Sequence, residues 1–374
     1  MRITDLEYRE KDNMAGIYAH VHWEDCDQPG REIFIETTTT YAGDVALDPH
    51  AFLVGCLIPA MHLGEGRIVI DGQICPYLFE GLETVVGLMR LWSDGAYAPI
   101  HIEATEGFLN RTAEAPGRAG MLLSGGMDSL AALRLNRLRY GKDHPGAVRD
   151  CFLIHGFDIG GVVERGMKYQ VFERAKTHMS LIAQDADVEL IPVYTNIRHL
   201  WDDRNLWLDK FFGAVLAAVA HGFSSRLNLL YIASSYDLPH LHPCGSHPML
   251  DPEFSSYGLR IRHRDVALSR LEKLRIVAEW EVAFQNFRVC LANVPDRLNC
   301  GRCEKCVRTM AGLAALGLLD KTRAFQQDDL TPDHFSSFSI TIRTREPFYR
   351  ELIPHLKERG REDLAETIAR KLSE

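Results

Sequence analysis

The sequence predicts an α/β fold: a doubly wound sheet of five parallel strands, preceded by a smaller α+β domain and followed by a helical segment. From Gly120 onward, short apolar segments alternate with longer segments of helical period, which is typical of a parallel sheet with right-handed crossovers. Before Gly120, short stretches of alternating polar and apolar residues predict strands with one buried face. The length of 374 residues favours two or three domains.

The first 115 residues contain both kinds of pattern. Apolar residues at three-to-four spacing predict helices at 49–63 and 76–92. Alternating stretches predict strands at 16–23, 31–37, 67–70 and 99–103. We therefore expect residues 1–115 to form an α+β domain, whose role the sequence does not indicate. The polar stretch 105–120, with Pro116 and Gly117, either marks its boundary or forms an ordered loop.

The remaining residues alternate between strand and helix patterns. Apolar stretches predict five strands at 121–123, 151–155, 188–194, 227–233 and 259–263. Patterns of helical period predict helices at 130–140, 163–183, 210–221 and 267–280, and two more at 304–318 and 351–373. We expect an α/β domain at 119–285, a cysteine-rich segment at 286–320 and a helical extension at 321–374.

The composition argues against several classes of protein. Lys and Arg total 42 against 51 Asp and Glu, and the formal charge of −9 argues against sequence-independent binding of nucleic acid. The longest apolar stretches, 51–60 and 211–220, have about half of the roughly 20 residues that cross a bilayer. The first residues are rich in charge and lack the apolar centre of a signal peptide. We expect no membrane span and a cytoplasmic location.

A glycine-rich turn follows the first strand of the predicted parallel sheet. It reads Ser124-Gly125-Gly126-Met127-Asp128-Ser129. Adjacent glycines let the backbone approach an anion, and the amides of the next helix face that anion with the positive end of the helix dipole. The hydroxyls of Ser124 and Ser129 can add hydrogen bonds. The Asp128 carboxylate would repel phosphate unless an amide or a divalent cation held it, which suggests Mg²⁺. The alternative is a plain turn with a Ser or Asp cap.

Four cysteines form the second strong pattern, with the spacing Cx9CxxCxxC. They are Cys290, Cys300, Cys303 and Cys306. Four thiolates that converge on one tetrahedral ion make a closed, structural Zn²⁺ site, and three cysteines within seven residues favour a metal over disulfides. An iron–sulfur cluster is the competing interpretation. A ferredoxin run would need Cys and Pro at positions occupied by Met310 and Ala311, so we expect zinc.

The hexapeptide 124–129 resembles the SGGxDS signature of the PP-loop ATP pyrophosphatases. Neither a Walker A loop nor the dinucleotide-binding glycine pattern is present in it. The resemblance implies that ATP is cleaved between its α and β phosphates, that the loop holds the pyrophosphate, and that the substrate receives AMP. The matching positions are Ser124, Gly125, Gly126, Asp128 and Ser129. His155, at the end of the second strand, stands where the family places adenosine contacts.

Together with the downstream cysteines, the loop is similar to the 7-cyano-7-deazaguanine synthase (QueC or ExsB-like) branch, over about residues 119–315. That branch converts a heteroaromatic carboxylate to an amide and then a nitrile, with ammonia as nitrogen source and zinc as structural ion. The stretch 268–272 resembles its LSKxE segment, with Arg270 where lysine is usual. The substrate loop differs, because residues 246–254 lack the Cys-Arg pair of YPDCRxxF. A different acid, free or held on a carrier, is therefore expected.

A cluster of potentially reactive side chains follows the fourth strand. It consists of His240, His242, Cys244 and His247. These residues could act in acid–base chemistry, a second metal site or substrate contacts, or could belong to a polar loop. Cys244 could carry a persulfide or be an unreactive thiol.

The sequence thus predicts an adenylating ligase that uses ATP and Mg²⁺ to activate a carboxylate for attack by ammonia or an amine. Asp128 and Ser129 would handle the pyrophosphate, and Arg270 would stabilise developing charge. Two alternatives remain, sulfur transfer to RNA and a nucleotide-binding module without turnover. The sequence also leaves open whether two copies form a homodimer.

Overall fold

A mixed sheet of ten strands runs through the computed structural model of the protein, which describes residues 1–110, 117–160, 168–340 and 344–374. Residues 111–116 of the expected boundary stretch and 163–167 of the expected helix 163–183 lie outside the described residues. The strands are β1 (Arg2–Lys11), β2 (Met14–His22), β3 (Arg31–Thr38), β4 (Arg67–Ile70), β5 (His101–Ala104), β6 (Arg118–Leu122), β7 (Val148–His155), β8 (Glu189–Thr195), β9 (Leu227–Ala233) and β10 (Arg260–Arg264).

Twelve α-helices are found in the described part of the chain. They are α1 (Pro49–His62), α2 (Pro76–Trp92), α3 (Met127–Arg139), α4 (Tyr169–Asp185), α5 (Arg204–Leu206), α6 (Phe212–His221), α7 (Arg270–Ala278), α8 (Glu281–Asn286), α9 (Glu304–Leu316), α10 (Glu346–Arg350), α11 (Leu352–Glu358) and α12 (Glu362–Lys371). None of these helices is long and apolar enough to cross a lipid bilayer.

Strands β6 to β10 pair in parallel in the order β10-β9-β6-β7-β8. The chain builds outward from β6 to β7 and β8, and then returns to the other side of β6 for β9 and β10. The order therefore reverses beside the carboxyl end of β6, and open α/β sheets bind ligands at such a switch point. Residues 124–129 follow β6 and lie at this edge.

The sheet does not stop at five strands, which corrects the expected five-stranded architecture. Strand β3 pairs antiparallel with β8, through Ile35 with Thr195 and Thr37 with Val193, and β2, β1, β4 and β5 extend the sheet further. Without β3, the outer edge of β8 would present unpaired backbone groups. Strand β1 was not expected from the sequence, because it is rich in charged residues and buries little more than Ile3. The α/β class is confirmed, whereas the domain boundaries remain predictions.

Helices cover both faces of the sheet. Along β7, Phe152 and Ile154 belong to one apolar core, while Cys151 and Leu153 belong to the other. Helices α1 and α6 bury their apolar side chains in the first core, and α3, α4, α7 and α9 do so in the second. Successive side chains of a strand point to opposite faces of the sheet. Because helices cover both faces, both sets of β7 side chains must be apolar.

The expected single helix at 351–373 is instead a helical hairpin. Helix α11 ends before Gly360, which has a φ of +69°, and α12 begins at Glu362. A left-handed glycine of this kind ends a helix. The two helices bury Leu356, Leu364 and Ile368 in the second core, so the extension packs on the parallel half of the sheet.

Candidate functional site: an anion-binding loop beside a four-cysteine cluster

The glycine-rich loop forms a tight turn between β6 and α3. Gly125 has a φ of +79°, and a Cβ there would lie 2.8 Å from Met179 Cε. Glycine therefore satisfies both the backbone conformation and the close packing. The amides of Met127, Asp128 and Ser129, at the start of α3, have no hydrogen-bond partner among the described residues. These amides and the helix dipole are available to an anion.

The two serine hydroxyls of the loop face each other. Ser129 Oγ donates to Gly126 O at 3.0 Å, and Ser124 Oγ lies 3.4 Å from Ser129 Oγ. The amide of Gly126 donates to Ser124 Oγ at 3.3 Å. Ser124 is exposed and Ser129 is buried, so the first can turn toward a ligand while the second holds the turn.

Two cations surround Asp128. Arg270 donates from Nη1 to Asp128 Oδ2 at 2.6 Å, and Lys273 Nζ lies 3.6 Å from Oδ1. Burial raises the pKa of Asp128, but the charges of Arg270 and Lys273 outweigh it, so the net pKa is lowered. Oδ1 itself is buried and accepts no hydrogen bond in the described structure. Asp128 and Arg270, each predicted as a site residue, thus form an ion pair, which the sequence did not indicate.

Lys273 is a residue of this site that was not predicted from the sequence. Its side chain is only 1% exposed, and Nζ donates to Ser234 O at 2.7 Å, at the end of β9. Its position three residues after Arg270 could have indicated that it belongs to the site, because residues at that spacing share a helix face. Lys273 therefore links the carboxyl end of β9 to the loop after β6.

Further basic side chains come from α9. Arg308 is 9% exposed, and its guanidinium lies 4.7 Å from the ring centre of Phe348. Its Nε has no hydrogen-bond partner in the described structure. Burial lowers the pKa of the Lys305 ammonium, which also interacts with Asp158 and Asp128. Arg270, Lys273, Lys305 and Arg308 together give the loop a basic surrounding suited to a polyanion.

His155 lies at the other side of the loop, at the end of β7. Its side chain stacks on Tyr169 with ring centres 5.0 Å apart, and its buried Nε2 has no partner among the described residues. Burial lowers the pKa of His155. The next residue, Gly156, has a φ of +109°, and a Cβ there would lie 1.9 Å from Thr195 O. The chain can therefore turn here only with glycine.

The four cysteines converge as predicted. Their Sγ atoms all lie within 4.8 Å of one another. Cys300 Sγ is 3.8 Å from Cys306 Sγ, and Cys303 Sγ is 3.9 Å from Cys290 Sγ. Hydrogen bonds from Cys303 and Cys306 lower the pKa of the Cys290 thiol. Four converging thiols fit a tetrahedral metal ion such as zinc.

Backbone amides point at two of these sulfurs. Ala292 N lies 3.3 Å from Cys290 Sγ, and the amides of Arg302 and Cys303 lie 3.4 and 3.3 Å from Cys300 Sγ. Such N–H donors stabilise thiolates and orient them toward a metal. Asn299, which is buried, holds the turn by accepting from Val289 N and donating to Phe287 O.

The segment that carries the cysteines also touches the loop. Arg288 N donates to Gly125 O at 2.9 Å, and Arg288 Nη2 donates to Asn293 Oδ1 at 2.6 Å. Asn293 Nδ2 in turn donates to Asp158 O at 2.9 Å, beyond the end of β7. Arg288 and Asn293 were not singled out in the sequence, where neither belongs to a motif. They connect the loop after β6 with the segment after β7.

The residues 240–247 do not form a metal site. In the described ranges, groups of three or more ligands within 4.8 Å comprise the four cysteines and a second set, and neither contains His240, His242, Cys244 or His247. His240 pairs with Asp237, and His242 packs edge-on against Tyr236. Burial raises the pKa of the Cys244 thiol to about 12. Such a thiol is a poor nucleophile at neutral pH.

The second set consists of Asp48, His50 and His221, at the start of α1 and the end of α6. His50 Nε2 accepts from Cys75 N at 2.9 Å, so Nδ1 carries the proton and donates to Asp48 Oδ1 at 2.6 Å. His221 Nε2 is bonded to Phe254 O at 2.9 Å. Because both nitrogens of His50 are occupied, this set fits a structural hydrogen-bond cluster better than a metal site.

No family model matches this chain, and neither does any curated protein or any solved structure.

Proposed function

We propose that this chain is an AMP-forming ligase of the PP-loop type, similar to the QueC branch, which activates a carboxylate for attack by ammonia or an amine. One observation supports this most directly: the SGGxDS loop lies at the switch point of the parallel strands, and three of its amides, which have no partner in the described part of the chain, lie beside Arg270 and Lys273. That arrangement suits a leaving pyrophosphate.

Each part of the loop has a role in the proposed reaction. The substrate carboxylate attacks the α-phosphorus of ATP, the bond to the β-phosphate oxygen breaks, and the amides of residues 127–129 hold the departing pyrophosphate. Arg270 and Lys273 stabilise the charge that develops there. Since no side chain need act as a nucleophile, catalysis depends on position and charge. His155, whose Nε2 has no hydrogen-bond partner among the described residues, would contact the adenosine.

Two metal ions fit the residues present. Asp128 Oδ1 is an oxygen without a hydrogen-bond partner among the described atoms, and Mg²⁺ prefers carboxylate oxygens. Mg²⁺ bound there would neutralise phosphate charge, while Zn²⁺ on the four cysteines would be structural. The described cysteines form no disulfide, which suits a reducing compartment, and we propose a cytoplasmic location.

The alternatives have less support. Sulfur transfer to RNA would need a reactive thiol, and burial keeps the Cys244 thiol protonated. A module that binds nucleotide without turnover remains a second candidate, with the full loop retained for affinity alone. The acid is expected to differ from that of the QueC branch, because residues 246–254 lack the Cys-Arg pair.

The proposed function is tested by identifying the products that the protein forms from ATP. The purified protein is incubated with ATP, Mg²⁺, ammonia and a panel of heteroaromatic and aliphatic carboxylic acids, and AMP and pyrophosphate are quantified by chromatography. We expect equal amounts of AMP and pyrophosphate, dependent on one of the acids. Release of ADP and phosphate would contradict the proposal, and binding of ATP without any product would favour the module.

A matched pair of variants ties the products to this site. K273M removes the buried cation beside Asp128, and we expect AMP formation to fall by about tenfold or more, as for loss of one charged donor. K176M removes a lysine that pairs with Glu173 on α4 and should leave the rate unchanged. Equal rates for the two variants would exclude the loop as the reaction site.

A further inference from the structure

Asp251 is a fully buried carboxylate in the loop between β9 and β10. Its side chain is 0% exposed and accepts hydrogen bonds at both oxygens. Ser246 Oγ donates to Oδ2 at 2.6 Å, His263 Nδ1 lies 2.7 Å from the same oxygen, and His247 N donates to Oδ1 at 3.2 Å. Gly213 at the start of α6 makes room, because a Cβ there would lie 2.8 Å from Oδ1.

This carboxylate sets the tautomer of His263. A neutral imidazole carries one proton, and an ionised carboxylate accepts it at Nδ1, so Nε2 is left with a free lone pair. The side chain of His263 is 2% exposed, and Nε2 has no hydrogen-bond partner in the described structure. A buried acceptor without a partner is unfavourable unless a ligand satisfies it.

The chain contains a structural Asp–His pair for comparison. In the pair Asp48 and His50, the second imidazole nitrogen accepts from Cys75 N at 2.9 Å. That ring is satisfied at both nitrogens and lies at the start of α1. His263 differs in having the same carboxylate support and an unused second nitrogen.

His263 lies at the edge of the sheet where the anion-binding loop is found. It is the last residue but one of β10, and the carbonyl of the next residue, Arg264, accepts from Ser234 N at 2.9 Å. Ser234 O accepts from Lys273 Nζ, which is paired with Asp128. The Asp251–His263 pair therefore lies at the carboxyl ends of β9 and β10, the same edge of the sheet that carries residues 124–129.

We propose that His263 is the general base of the second half-reaction, an inference that rests on the proposed function. The nitrogen lone pair of ammonia or an amine attacks the acyl carbon of the adenylate, and the bond from that carbon to the AMP oxygen breaks. AMP leaves with that electron pair, and one N–H proton passes to Nε2 of His263. Asp251 is a positioning residue that holds the ring and stabilises the imidazolium formed.

The test separates adenylation from amide formation by the choice of nucleophile. Hydroxylamine is uncharged at neutral pH and captures an acyl adenylate as the hydroxamate without a strong need for a base, whereas ammonia needs one. H263N keeps a donor near Nδ1 for Asp251 but cannot accept a proton. With the acid identified by AMP formation, we expect H263N to retain hydroxamate formation within a few-fold and to lose ammonia-dependent amide formation by about a hundredfold or more.

Two further variants complete the experiment. D251N should lower the ammonia-dependent kcat by about tenfold and spare hydroxamate formation, because it disturbs the tautomer and not the adenylation step. H50N disrupts the comparable structural pair and should leave the ratio of the two products unchanged. Should H263N not fold, H263Q and D251N provide the same comparison.

The outcomes are distinct. Equal losses with both nucleophiles in a folded H263N protein, or no loss with ammonia, would overturn the role of His263. A wild-type protein that forms neither AMP nor pyrophosphate would instead contradict the proposed function itself.

Discussion

Asp128 and Cys244 are both reactive side chains in principle, and their surroundings give them opposite properties. Arg270 and Lys273 lower the pKa of Asp128, whereas burial raises the pKa of the Cys244 thiol to about 12. The first therefore stays charged at neutral pH and the second stays protonated. At the scale of single residues, this contrast favours chemistry at the loop over sulfur transfer from residue 244.

A prediction at this scale concerns Asp48. Burial raises its pKa, but its interactions with His50 and His221 outweigh burial, so the folded-state pKa lies below the ordinary value of about 3.9. A depressed carboxyl pKa stabilises the fold above the unfolded-state value, and this stabilisation is lost as the pH falls toward the folded-state value. We expect D48N to lower the free energy of unfolding at pH 7 by about 3 kcal/mol.

Thermal denaturation between pH 3 and 7, followed by circular dichroism, measures this effect. The wild-type melting temperature should fall more steeply below pH 4 than that of D48N. D187N is the control, because Asp187 is exposed and pairs only at the surface with Lys142. If the melting temperatures of the wild type and D48N changed in parallel with pH, protonation of Asp48 would not contribute to the pH dependence of stability.

At the scale of elements, the segment 287–306 connects the four-cysteine cluster to the loop 124–129. Arg288 donates to Gly125 O in the loop, and Asn293 donates to Asp158 O after β7. No cysteine of the cluster makes a hydrogen bond to the loop in the described structure. The cluster can therefore influence the loop only by holding this segment in place.

Removal of the metal should weaken pyrophosphate binding. We expect one zinc per chain by elemental analysis, and about tenfold weaker binding of pyrophosphate by calorimetry after chelation or in C303S, because structural zinc holds local folds together. C26S, at a cysteine outside the cluster, serves as the control. Unchanged affinity in metal-free protein would disprove the coupling, and a brown protein that contains iron would favour the iron–sulfur alternative.

At the scale of the whole molecule, one sheet joins the two parts of the chain that sequence patterns separate. Strand β3 covers the edge of β8, and a single apolar core contains Ile35 and Phe52 together with Val193 and Phe211. The N-terminal residues therefore protect both an edge and a face of the parallel strands. Their contribution includes the stability of the half that carries the proposed site.

Deletion of residues 1–115 tests this interdependence. We expect the shortened chain to aggregate, because it exposes the β8 edge and the apolar surface of α6. The soluble fraction and size-exclusion chromatography provide the measurement, with the full chain as reference. A soluble, cooperatively melting product would instead support the predicted boundary near residue 115.

Local chemistry explains why much of the molecule was predictable from its amino acids. The strands at 67–70 and 227–233 and the helix at 76–92 were predicted with their observed bounds, since apolar period is a local property. The turn at 124–129 and the cysteine cluster were also predictable, because each depends on residues that are close together in the chain and have a characteristic spacing. The predicted helix at 351–373 was wrong at Gly360, where a left-handed glycine divides it.

The remaining features depend on residues that meet across long stretches of chain. The pairing of β3 with β8 joins residues about 160 positions apart. The local pattern of polar and apolar residues does not indicate which strand will pair with an edge. Lys273, Arg288 and the Asp251–His263 pair gain their chemistry from burial and from partners brought together by the sheet. Short segments of the sequence thus determine the backbone conformation and the spacing of the cysteines. The protonation states and the shared sheet are decided only when distant segments pack together.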